Sequence, residues 1–225
     1  MKRTKLVAGF SVALLSLLSA GAQGTFQNLN FELANPGLLT TTAGYPFPYA
    51  ENVPVANALP YWSVYYGTVQ QTEINYNAPG LGSTLVTLVG GTWPAIDGNY
   101  SVLLQGGLTA SAASISQSGT IPAGTQSLLF EAQPGAGTFE VLVGSQIVPF
   151  AAVGTGPNYT LYGANIAAWA GDTEQITFSA LEDFSRPNQW EIDDISFSAV
   201  PEPGIVALTA IGGLLFGARK WFARC

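Results

Sequence analysis

The chain contains no histidine. That absence removes Ser-His-Asp and Cys-His nucleophile systems together with every imidazole metal site. The only cysteine is Cys225, the last residue, so no disulfide can form upstream of it. Positive charge is almost as scarce: of seven Lys and Arg, Lys2, Arg3 and Lys5 stand at one end and Arg219, Lys220 and Arg224 at the other, leaving Arg186 alone between them. With no lysine there, no glycine-rich loop can end in the lysine that cradles phosphate. Thirteen of the fourteen acids precede residue 200, so the stretch between the ends carries a formal charge of −12. Nucleic acid is excluded as a direct partner, because nothing could neutralise its phosphates. Neutral or cation-bridged partners suit such a surface.

What is present begins with the two ends. Met1 to Lys5 is basic, Leu6 to Leu18 is apolar apart from small polar breaks, and Ala20-Gly21-Ala22 has the shape of a signal-peptidase site. Cleavage after Ala22 would make Gln23 the mature N-terminus. An uncleaved N-terminal anchor is the alternative. At the other end, Pro201-Glu202-Pro203 is followed by a charge-free run from Gly204 to Ala218 and then by the basic cluster. This tail resembles the PEP-CTERM sorting signal of bacterial exported proteins, with Gly204 where that family often has Ser. The resemblance implies recognition by the membrane protease-transpeptidase exosortase.

The physics of the tail is independent of that resemblance. Fifteen residues cover roughly 22 Å as a helix, short of the ~30 Å hydrocarbon core. Trp221 and Phe222 extend the apolar reach while Arg219, Lys220 and Arg224 snorkel to the head groups. The positive-inside rule then puts the C-terminus in the cytoplasm. Residues 23–199 are expected outside the inner membrane, 1–22 as a signal peptide and 200–225 as a sorting tail. A buried core helix is the alternative for the apolar run.

Between the ends, short β-branched and aromatic runs recur and no helical period persists, which predicts one antiparallel β-sandwich domain. The expected strands are Phe26–Leu33, Tyr61–Gln70, Thr84–Val89, Tyr100–Gln105, Ala113–Gln117, Gln126–Ala132, Thr138–Val143, Gln146–Phe150, Tyr159–Tyr162, Gln175–Ser179 and Trp190–Ser198. Val141 to Val148 reads as a hairpin, with Gly144 opening a type II′ turn. Asn35 to Asn57, rich in Pro, Gly and Thr, reads as a long excursion, either structural or binding.

Four motifs carry a second resemblance: Phe26-Gln27-Asn28-Leu29-Asn30-Phe31-Glu32, Leu59-Pro60-Tyr61-Trp62, Asp97-Gly98-Asn99-Tyr100 and Trp190-Glu191-Ile192-Asp193-Asp194-Ile195. In order and spacing they are similar to the galactose-binding-like jelly rolls, which include many carbohydrate-binding modules. The resemblance implies one structural Ca²⁺ joining the first and last strands through Glu32 and Asp193, with Asp194 as a further ligand. Leu29-Asn30 departs from the usual Asn-Gly-x-Phe-Glu. The alternative is that Asp193 and Asp194 cap loops or face water.

Aromatic rings are the other lever, since flat exposed rings grip pyranose faces. Strand alternation sends Tyr61 and Tyr65 to one face and Trp62 and Tyr66 to the other, with Trp62 expected in the core. Tyr61, Tyr65 and Trp93 are thus the candidate sugar platform. Catalysis would need two carboxylates about 5 to 9.5 Å apart, from among Glu182, Asp183, Glu191, Asp193 and Asp194. The reading favoured is a non-catalytic surface protein of the envelope or extracellular polysaccharide matrix. A carbohydrate-binding module is the first alternative and a glycoside-active enzyme the second.

Overall fold

The computed structural model describes residues 24–37, 51–80, 83–91, 93–108, 111–186 and 188–201. The leader 1–22 lies outside them. So does the tail beyond Pro201, with Glu202, Pro203, the apolar run, Arg219, Lys220 and Arg224. Among the described residues no helix is long and apolar enough to cross a membrane.

The first strands are β1 (Glu51–Pro54), β2 (Ser63–Tyr66), β3 (Val69–Gln71), β4 (Glu73–Tyr76), β5 (Leu85–Gly90), β6 (Tyr100–Gly106) and β7 (Ala113–Thr120). The rest are β8 (Ser127–Pro134), β9 (Phe139–Val143), β10 (Gln146–Val148), β11 (Phe150–Thr155), β12 (Thr160–Asn165), β13 (Thr173–Ala180) and β14 (Asn188–Ser198). Helix is confined to α1 (Val55–Ala58) and a 3₁₀ turn at Ala167–Trp169 among the described residues. Two sheets result, ordered β1-β4-β5-β6-β14-β8-β12-β11 and β10-β9-β13-β7-β2-β3.

Alternation explains why they face each other. Phe139, Val141 and Val143 of β9, Ile176, Phe178 and Ala180 of β13, and Leu128, Phe130 and Ala132 of β8 are all buried in one cluster. Each set repeats every second residue and so lies on one face of its strand. Phe130 is at the centre, with ring centroids 5.4 Å from Phe178 and 5.5 Å from both Phe150 and Tyr162. The second sheet turns its Ser and Thr outward from this core.

Several expected strands were not found as drawn. Phe26–Leu33 is a chain of turns, because Asn28 and Phe31 take left-handed φ values of 52° and 58° and swing Phe26, Leu29 and Phe31 inward together. Tyr61–Gln70 is two strands, split by a turn at Gly67, whose φ is 58°. Gln146–Phe150 breaks at Pro149, where the chain leaves β10 in one sheet and enters β11 in the other. Within the Asn35–Asn57 excursion, residues 51–57 form β1 and most of α1. The sandwich is also not wholly antiparallel, since β4 and β5 run parallel. The β9–β10 hairpin is as read, with Gly144 at φ 60°.

The two ends of the domain meet. Thr25 donates its N–H to the Thr120 carbonyl at 3.4 Å, and Gln126 donates to the Ser198 carbonyl at 2.7 Å. Both chain ends therefore leave beside the β7–β8 turn.

Candidate functional site

The β5–β6 connection, residues 91–99, carries the most concentrated chemistry. Glu32 holds it from one side. Its Oε1 accepts the N–H groups of Asn99 at 2.7 Å and Tyr100 at 3.0 Å, and its Oε2 accepts Asn99 Nδ2 at 2.7 Å. Partial burial works against the Glu32 charge, yet these three donors outweigh it and hold the carboxyl below its ordinary 4.5. Gly98 has a φ of 60°, and a Cβ there would collide with the Glu32 carboxylate. Glycine is needed for both reasons.

Asp193 holds the same loop from behind. Its Oδ2 accepts Asp97 N–H at 3.1 Å and its Oδ1 accepts Asp194 N–H at 2.8 Å. Asp193 is 1 % exposed, and burial, with the charges of Asp194 and Glu131 adding to it and the two N–H bonds opposing, pushes its carboxyl up to about 8. Asp194 follows in a bulge of β14, at φ 43°, which breaks the pairing with β8 between Asp193 and Ser196. Burial and the charges of Asp97 and Glu32 raise the Asp194 carboxyl too. A third tie comes from Asn158, whose Nδ2 donates to the Ile96 carbonyl at 3.2 Å.

Glu32 and Asp193 are thus brought to one place, but through the backbone N–H groups of the loop between them. These are donors, and a hard cation needs free oxygen acceptors. Among the described residues no three carboxylates are grouped to hold a metal ion.

The tied loop forms one wall of a cleft of about 280 Å³, lined by Tyr76, Trp93, Asn99 and Tyr100 together with Gly91, Pro94, Ala95 and Gly98. Its size is at the small end of ligand pockets. Trp93 is 44 % exposed, while Tyr76 and Tyr100 are half-buried and rest on the core. None of these lining residues is charged. Asn77 fixes the opposite wall: its Nδ2 donates to the Gly90 carbonyl at 2.6 Å, and its Oδ1 accepts Gly90 N–H at 3.0 Å. Gly91, at φ 67°, lets the chain turn close above the Tyr76 hydroxyl.

Of the candidate platform, only Trp93 lines this cleft. Tyr65 faces outward from β2 on the other sheet and Tyr61 stands at the head of that strand, so the three rings do not form one surface. Trp62 is buried as expected, its Nε1 donating to the Asn28 carbonyl at 2.9 Å. Tyr76 had no signal in the sequence, because Glu73, Asn75 and Asn77 disguise β4. Tyr100 and Asn99 lay in a motif already singled out, and adjacency to a tryptophan-bearing loop was the clue available. Among the acids considered for catalysis, Asp183 binds Ser185 and pairs with Arg186 at 3.5 Å, and Glu191 accepts the Ser101 hydroxyl at 2.5 Å.

The site defines a class: a two-sheet β-sandwich with an uncharged aromatic cleft at a tethered loop. No protein-family model matches the chain, and no curated protein matches its sequence. Among solved structures it is similar to TmCBM61 in complex with β-1,4-galactotriose, at 17% identity and a TM-score of 0.38, over 79% of this chain and 99% of that one. It is also similar to the family 11 carbohydrate-binding module from Clostridium thermocellum in complex with a β-1,3-1,4-mixed-linked tetrasaccharide. There the identity is 10% and the TM-score 0.35, over 67% of this chain and 96% of that one.

Proposed function

We propose that this is a non-catalytic, exported protein that binds neutral glycans through the Trp93 cleft and belongs to the envelope or extracellular matrix. The observation that carries the reading is the cleft itself: one exposed indole and two half-buried phenols around uncharged backbone turns. Rings offer apolar faces to the C–H side of a pyranose, while the phenol hydroxyls and Asn99 offer polar atoms at the edge. The charge of −12 argues against an anionic ligand. The loop's ties to Glu32, Asp193 and Asn158 favour binding without an ordering cost.

Affinity electrophoresis of the full-length protein in gels cast with neutral galactan and with hydroxyethylcellulose tests the reading. Trp93→Ala is expected to weaken retardation about tenfold, the equivalent of ~1.4 kcal/mol. Unchanged retardation would remove Trp93 from the site.

Export and retention complete the proposal, resting on the leader and the tail. Deleting residues 202–225 is expected to move the protein from the membrane fraction to the soluble one. Replacing Glu202 alone with alanine should leave it membrane-bound but unsorted, if exosortase reads the triplet. A truncated form that still sediments with membranes would overturn the anchor.

A further inference from the structure

Among the described residues the two sheets end in four edge strands, β1 and β11 on one and β10 and β3 on the other. An edge leaves a row of backbone N–H and C=O groups without a ladder partner, and proteins blunt it with charge, proline or shortness. β1 includes Glu51 and Pro54. β3 and β10 are three residues each. β11, Phe150–Thr155, is six residues long with neither charge nor proline, and its Ala151, Ala152 and Thr155 are exposed. The chain passes from β10 to β11 at Pro149, so both edges lie on one flank of the sandwich, where Ile147 is 60 % exposed.

Charge singles out the same flank. No charged residue stands between Glu140 and Asp172, the stretch that supplies β10, β11 and β12. Glu131 lies two strands in from β11 and is buried, and Glu174 meets the turn at Gly144 rather than β11. Two copies of a domain that carries −12 repel wherever their acids face each other. This flank lets them approach without that cost, whereas a basic partner would find nothing on it to hold. A bulge between Ala152 and Gly154 interrupts the regular ladder, so Phe150–Ala152 is the stretch left to pair, centred on Ala151.

We infer that the β11 edge is a contact between two copies of this chain, paired β11 to β11 and antiparallel about a two-fold axis at Ala151. Such an axis makes the contact self-complementary and closes it at two copies. It joins the two eight-stranded sheets into one continuous sheet. So short a ladder falls under the ~1,200 Å² of stable complexes, and the dimer is therefore transient and dependent on concentration. Strand direction fixes its shape. β11 is antiparallel to β12, β12 to β8 and β8 to β14, so β11 runs opposite to β14. The two-fold axis then points the two β14 strands, and the tails that follow them, in opposite directions. Copies retained side by side on one surface cannot pair in this way, whereas copies on facing surfaces, or released from them, can. That placement rests on the proposed retention; the pairing itself rests neither on it nor on the glycan reading.

The test uses the full-length protein in detergent micelles and polysaccharide-free buffer. In a Cys225→Ser background, Ala151→Cys, Thr155→Cys and, as a control on the β3 edge, Gln70→Cys are each oxidised with copper phenanthroline. Cα atoms opposite each other in an antiparallel pair are about 4.5 to 5.5 Å apart, within disulfide reach, while the two Thr155 positions stand roughly 26 Å apart. Ala151→Cys is expected to give at least ten times the covalent dimer of either other variant. No excess over Gln70→Cys, or equal yields at Ala151 and Thr155 as a parallel pair would give, overturns the inference. Sedimentation across a range of protein concentrations supplies a second reading. Ala151→Glu and Ala151→Lys should each raise the dimer dissociation constant at least tenfold, because either charge meets its own copy directly opposite, with an unchanged melting midpoint showing the fold intact. Bulk charge would instead make the lysine variant associate more tightly than the parent. That result, or a parent chain that stays monomeric throughout, also overturns the pairing.

Discussion

Phe130→Ala is expected to cost about 3 to 5 kcal/mol, the largest effect of any single truncation in the core. The ring is fully buried and touches Phe139, Phe150, Tyr162 and Phe178, drawn from four different strands and both sheets. Nothing near it can collapse into the space without breaking another ring pair. Domains of this kind hold only about 5 to 15 kcal/mol in total, so roughly a fifth or more of the stability is at stake. Thermal melts should show the midpoint falling by roughly 10 to 15 °C. A fall of under about 2 °C would mean that the two sheets are not joined through this ring.

Asp193→Asn is expected to change sign with pH. In the folded chain the Asp193 carboxyl titrates at about 8, against an ordinary 3.8, with burial the chief cause. The parent's neutral carboxyl is therefore fully favourable below about pH 4, and that advantage is lost as pH rises towards 8. Asparagine never ionises, but its Nδ2 cannot accept one of the two N–H groups, at a cost of about 1 kcal/mol. The variant should be the less stable below about pH 5 and the more stable above it, by up to a few kcal/mol near pH 8. Urea titrations across that range measure the crossing, and parallel profiles would refute it. Repeating them at pH 7 in calcium and in chelator tests the ion implied by the family resemblance, since Ca²⁺ would stabilise only the folded state. Equal stabilities would leave the N–H bonds as the whole junction.

The long strands were legible because their buried residues alternate. β8 buries Leu128, Phe130 and Ala132 and β13 buries Ile176, Phe178 and Ala180, while β14 alternates on either side of the bulge at Asp194. β1 and β4 were not legible, since Pro54, Asn75 and Asn77 give them the composition of a loop. Phe26–Leu33 misled for the opposite reason: its apolar residues looked like a strand, but spacings of three and two fit no single face. Only left-handed Asn28 and Phe31 reconcile them, and backbone handedness at non-glycine residues leaves no mark in composition. The site was half visible. Glu32 and Asp193 were expected together and Trp93 apart from them, whereas their convergence on one loop depends on the connection between β5 and β6 and on a bulge at Asp194 that only the register of β14 reveals.

β14 has a mechanical consequence. It is an inner strand of its sheet, paired with β6 over Asn188–Ile192 and with β8 to Ser198, and the tail leaves directly from its end. Ladder bonds lie across the strand axis. A pull on the tail along that axis therefore loads the bonds of two ladders in shear, all at once, whereas an edge strand peeled sideways gives way one bond at a time. A domain tethered by its tail and gripping a polymer would bear tension through the best-buttressed strand it has.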